Sequence, residues 1–193
     1  MMNIRIGRCG LIKGLTSLIL VVGMQAASAA PTDNCQLLLG ESQVDYGTVT
    51  RYTLNPLTKY PRYLSFGKRI VTATAVCPTP VRMSLFFSGA PSPNNLFRFG
   101  ENSGFVVHAM RAQLDNHPVR LARIAAPGQP ASEEGENVTL IPGQGVTVAT
   151  SDGGIGRQLS LQLEVEAYAS DGATRVTAAQ DFEGIASVQL HAE

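Results

Sequence analysis

Cys35 and Cys77 are the residues of this chain whose type and spacing most clearly promise chemistry. The third cysteine, Cys9, sits inside an export signal: Arg5, Arg8 and Lys13 form a basic start, residues 15–22 an apolar stretch, and Ala27, Ser28 and Ala29 a small-residue cleavage site. Cleavage after Ala29 removes residues 1–29 and leaves a mature domain of residues 30–193 in an oxidising compartment. The apolar stretch is too short to span a bilayer. An even pair of cysteines in an exported chain reads as a disulfide, Cys35 to Cys77. Two free buried thiols are the alternative.

The other reactive side chains form no constellation. His108, His117 and His191 have no metal-ligand spacing to one another, to a cysteine or to a carboxylate, so neither a metal nor any other cofactor is expected. His117, in DNHP, reads as a turn residue. The glycines of GQG (143–145) and of residues 153–156 open no helix and bring no P-loop lysine; they read as β-turns. Glu133, Glu134 and Glu136 read as a solvated loop rather than a cation site. The sequon at Asn137, Val138 and Thr139 has no evident role behind a bacterial-type signal.

Charge excludes one class of partner. The full chain carries 15 Lys+Arg and 15 Asp+Glu, and the signal removes three of the bases and none of the acids. The mildly acidic mature chain has no clustered basic face for nucleic acid. What remains is one domain's worth of chain, long enough to bury about 70% of its unfolded surface.

Alternation positions these residues on strands. In RIVTATAVC (69–77), Val71, Ala73, Ala75 and Cys77 share one face and Ile70, Thr72, Thr74 and Val76 the other. Pro78 and Pro80 punctuate, and Val81, Met83, Leu85 and Phe87 define a next strand. Residues 105–114 continue the pattern. Asp115 to Pro118 supply turn chemistry, and residues 119–124 return as the hairpin partner. Residues 125–137 (AAPGQPASEEGEN) read as a surface loop, and strands follow at 138–141, 146–150, 159–169 and 182–192. With no helical stripe in the mature chain, the expected fold is an all-β, immunoglobulin-like β-sandwich.

Cys35, VDYGTV (44–49), a strand ending in Cys77 before Pro78, TLIPGQGVTV (139–148) and an alternating final strand together resemble a chaperone–usher fimbrial subunit, within a group of fimbrial-like proteins sharing the Cys…DYG…Cys-Pro layout. The resemblance covers almost the whole mature chain. It departs near the end, where Gly184 lies closer to the terminus than the family's glycine and Ala192 stands where the family places a tyrosine. It implies a pilin-type sandwich that is incomplete and is completed by a donor strand. The implied partners are a periplasmic chaperone, an outer-membrane usher and other fimbrial subunits, and the implied location is the periplasm and then the fimbrium at the cell surface. Leu37 and Leu39 of the first strand and Ala186, Val188 and Leu190 of the last would line the groove for that strand. Only APTDN (30–34) precedes Cys35, so the resemblance implies an acceptor that gives no strand, at the fibre tip. A donor segment within residues 36–39 is the alternative.

Residues 52–69 combine aromatics and cations, and Tyr60, Arg62 and Tyr63 form a candidate receptor surface for a glycan or an acidic partner. The competing reading is a connection whose rings pack on the sandwich while its Lys and Arg stay in water. The chain is therefore expected to be a non-enzymatic fibre subunit. A free-standing periplasmic or secreted β-sandwich binding protein is the alternative, with a small hydrolase a more distant one.

Overall fold

The computed structural model describes residues 35–57, 62–150, 154–175 and 180–193; the expected export signal at residues 1–29, the segment 30–34 before Cys35 and Tyr60 lie outside them. The described residues form β1 (Gln36–Leu39), β2 (Asn55–Pro56), β3 (Tyr63–Gly89), β4 (Phe97–Arg98), β5 (Ser103–Leu114), β6 (His117–Pro118), β7 (Leu121–Ile124), β8 (Glu133–Gly135), β9 (Asn137–Leu140), β10 (Gln144–Val148), β11 (Ile155–Ser170) and β12 (Ala186–Ala192). Every pairing is antiparallel. The fold is all-β and sandwich-like. In one sheet β11 lies between β5 and β3, with β1 and β2 beyond β3 and β4, β6 and β9 beyond β5; in the other the order is β12, β3, β10, β7, β8.

β3 joins the two sheets, and it runs through the expected break at Pro78 and Pro80. Its first part pairs with β11 as far as Arg82, and its last residues pair with β10 and β12. The prolines are tolerated because they fall in a bulge. β11 steps from Gln158, opposite Val76, to Gly156, opposite Val81, so neither proline is asked for a ladder hydrogen bond. The Asp115 carboxylate accepts the amide protons of Arg157 and Gln158 at 2.9 and 2.8 Å on the facing strand. Strands that bend in this way make the corners between packed sheets.

Four other expectations change. β3 begins at Tyr63, not Arg69, because a bulge at Gly67 (φ +92°) interrupts the alternation that would have marked its start. The hairpin after β5 is real but short. Asp115 and Asn116 both have positive φ, as a two-residue type I′ turn requires, yet only β6 pairs with β5 before the chain crosses to the other sheet. There β7 pairs with β10 and buries Leu121 and Ile124. Within the expected loop 125–137, Glu133–Gly135 forms the edge strand β8, with Glu133 3.0 Å from Arg123. The last strand starts at Ala186 rather than Phe182.

The core sits between the sheets. Val71, Ala73, Ala75, Met83, Leu85 and Phe87 of β3 share one buried cluster with Leu140, Val146, Leu159 and Leu161, the alternate positions that period-two patterning selects. On β5 the buried positions change phase, from Phe105, Val107 and Ala109 to Ala112. Arg111, at φ +49°, absorbs the extra residue in a bulge opposite β11.

Candidate functional site

Cys35, at the entrance to β1, and Cys77, on β3, are joined in a disulfide with Cα atoms 4.2 Å apart across 42 residues. The pairing expected from the sequence is present, and it is compatible with an oxidising, exported compartment. No helix among the described residues is long and apolar enough to cross a membrane.

The disulfide fixes β1 to one edge of β3, and the same edge carries β12. At Ala75, β1 pairs through Leu37 while β11 pairs through Leu159 from the other side. At Arg82, β11 pairs through Ile155, while Glu193 exchanges both backbone hydrogen bonds at 2.9 and 3.0 Å. β1 and β12 therefore lie on the edge opposite β11 and run in the same direction, one in each sheet. Among the described strands, each pairs only with β3. Their outer edges are free to pair.

Between these two edges an apolar cavity of about 80 Å3 opens into the core. It is lined by Leu39, Val44, Tyr46 and Val71 on one side, by Phe87, Gly184 and Ala186 on the other, and by Phe105, Val107, Leu163 and Val165 at its base. Gly184 is required there: a Cβ at this position would lie 2.5 Å from the Arg98 carbonyl oxygen and 2.8 Å from the Phe105 ring. β12 alternates as its sequence indicates, with Ala186 buried, Val188, Leu190 and Ala192 half-buried, and Gln189 and His191 exposed.

Of the expected groove residues, Leu39 and Ala186 line the cavity, whereas Leu37, Val188 and Leu190 pack against the core beside it. The cavity opens near the start of β12. Val44, Tyr46 and Gly184 belong to it as well; the period-two spacing of Val44 and Tyr46 is the signal that identifies them. Tyr46 donates its hydroxyl hydrogen to the Val165 carbonyl at 2.9 Å, and the Arg69 guanidinium stands 5.3 Å over its ring. Burial pushes the Tyr46 hydroxyl up to about 12, against the opposing pull of the Ala167 backbone and Arg69.

Arg62 and Tyr63 of the candidate receptor surface are among the described residues. Tyr60 lies outside the described residues. Arg62 is exposed, and its carbonyl accepts the Asp171 amide at 2.8 Å. Tyr63 packs edge-on against Tyr168 with centroids 5.8 Å apart. Phe66 joins Tyr46, Phe99 and Phe182 in a ring cluster inside the fold, as the packing alternative for this stretch has it. The three histidines stand on different strands, His108 on β5, His117 on β6 and His191 on β12. His108 is half-buried with Nδ1 3.0 Å from Thr139 Oγ1, and burial holds its pKa below the usual histidine value.

No family model matches the chain, and no curated protein does.

Proposed function

We propose that this chain is a non-enzymatic subunit of a bacterial surface fibre of the chaperone–usher type, an exported immunoglobulin-like sandwich that accepts a strand from outside. The observation that carries the reading is the pair of outer edges, of β1 and β12, that no described strand partners and that flank an apolar cavity on one edge of β3. A strand laid along β12 would satisfy its outer backbone groups and send every second side chain toward the cavity, which is β-strand addition. A periplasmic chaperone would supply that strand first, and a neighbouring fibre subunit, delivered at an outer-membrane usher, would supply it afterwards. Export and the Cys35–Cys77 bridge suit this route, and adhesion would be the role of the assembled fibre.

A second reading, a free-standing periplasmic or secreted β-sandwich binding protein, is favoured by the cavity's small size: about 80 Å3 is little for a domain missing a whole strand. Size-exclusion of the mature chain made in the periplasm separates the two. The fibre reading predicts aggregation or loss of the chain when no fibre chaperone is co-expressed, and a soluble heterodimer when one is. The binding-protein reading predicts a soluble monomer in both cases.

A further inference from the structure

A second cleft lies where β3 begins, β11 ends and β5 starts. It encloses about 250 Å3, and none of its lining residues lines the cavity between the sheets. Tyr63, Asn94, Asn102, Ser103, Gly104 and Tyr168 define its character. Tyr168, Ser103 and Gly104 are buried, while Asn94 and Asn102 stand at the exposed rim. The cleft is open because position 104 has no side chain: a Cβ there would come 3.1 Å from the Phe97 carbonyl oxygen and 3.3 Å from Ser92 Oγ. The Asn94 amide donates to the Tyr63 hydroxyl at 2.7 Å, so the Tyr63 hydroxyl proton remains available to a ligand. Ser103, 3% exposed, has a hydroxyl buried without a hydrogen-bond partner, and a buried unsatisfied polar group calls for an explanation.

No lining residue carries a charge. A phosphate, a carboxylate or a metal ion would therefore enter without a counter-charge, which is costly. A wholly apolar ligand would strip water from the amides and hydroxyls without replacing their hydrogen bonds. The ligand that matches has C–H faces for the tyrosine rings and hydroxyls for Asn94, Asn102 and the tyrosine and serine hydroxyls. The volume is just below the range of sites for drug-sized ligands, about 300–1,000 Å3, which is the scale of one ring. We infer that this cleft binds a single neutral sugar residue, free or as the terminal unit of a glycan.

The inference does not rest on fibre assembly, since strand uptake and sugar binding use separate residues. The test is an NMR titration of the mature chain, or of its chaperone heterodimer, with glucose, galactose, mannose and N-acetylglucosamine, with acetate and inorganic phosphate as charged probes. A glycan array then separates free sugar from terminal unit. Saturable shifts at Tyr63, Asn94 and Gly104 with at least one neutral sugar are expected, and none with the charged probes. Asn102→Ala, at the exposed rim, and Tyr63→Phe, which keeps the ring, should each weaken binding about tenfold, the effect of one lost hydrogen bond. Absence of saturable shifts with all four sugars, binding only of the charged probes, or unchanged affinity in both variants would overturn the assignment.

Discussion

The Tyr46 hydroxyl donates to the Val165 carbonyl at 2.9 Å and so ties the segment that follows β1 to β11 beside the mouth of the apolar cavity. The ring meets Phe66 and Phe99 edge-on at 6.0 and 6.2 Å, which makes this one phenol an anchor for residues that form no strand of their own. Tyr46→Phe should keep the ring packing and lose the hydrogen bond, lowering stability by about 1 kcal/mol in chemical denaturation.

Alkaline titration probes the same residue. The folded hydroxyl sits near 12 against an ordinary value of 10, so the unfolded chain releases the proton first. The Tyr46 contribution to stability is full below pH 10 and is lost as pH rises through about 12. Denaturation midpoints measured across this window should fall with pH, and Tyr46→Phe should flatten that part of the decline.

His108 has the opposite dependence. Burial lowers its folded pKa most strongly; Lys68 adds to the depression, while Glu164 and Glu166 oppose it. Its contribution is present above the ordinary value of 6.5 and is lost as pH falls through the lower folded value. An NMR titration should place the His108 midpoint below 6.5, and His108→Gln should reduce the acid sensitivity of stability.

The Cys35–Cys77 bridge closes a loop of 42 residues. In the chain-entropy model such a bridge is worth about 4 kcal/mol. Cys77→Ser should therefore lower stability by a few kcal/mol, and non-reduced peptide mapping of the parent protein should recover the linked peptides. Two free thiols in periplasmic material would contradict the pairing.

Much of this architecture is legible in the sequence because burial imposes period two. Val71 through Phe87, Leu159 through Leu163, and Ala186 through Ala192 alternate as their strands require. The misread places are those where an extra residue shifts the phase or where long-range pairing outweighs local punctuation. Gly67 and Arg111 sit in bulges, so the patterns around them do not extrapolate. Pro78 and Pro80 resemble a strand end because their tolerance depends on the bulge opposite β11, which no local window contains. The part of the cavity wall made by Val44 and Tyr46 is hidden for a related reason: their approach to Ala186 is set by tertiary packing. The sugar-sized cleft depends on Gly104 meeting Ser92 and Phe97, again a relationship between distant segments.

Charge introduced at the groove tests its position. Ala186→Asp places a carboxylate at a site 5% exposed within the cavity wall, whereas Leu190→Asp places one on the half-buried face beside it. A desolvated carboxylate costs several kcal/mol unless it is paired. Both should impair capture of a chaperone or donor strand, Ala186→Asp more severely, with binding followed by co-purification and folding by far-ultraviolet circular dichroism. Equal binding by both variants would remove the groove assignment.

Backbone amide hydrogen exchange across β12, compared between the isolated chain and the tagged chain recovered from the periplasm of an expressing bacterium, tests strand acceptance most directly. The account predicts fast exchange along the outer edge of residues 186–192 in the isolated chain. It also predicts strong protection of the same amides in a one-to-one complex with a chaperone or a neighbouring subunit. A soluble monomer whose β12 amides are already protected, and which recovers no stoichiometric partner, would contradict it.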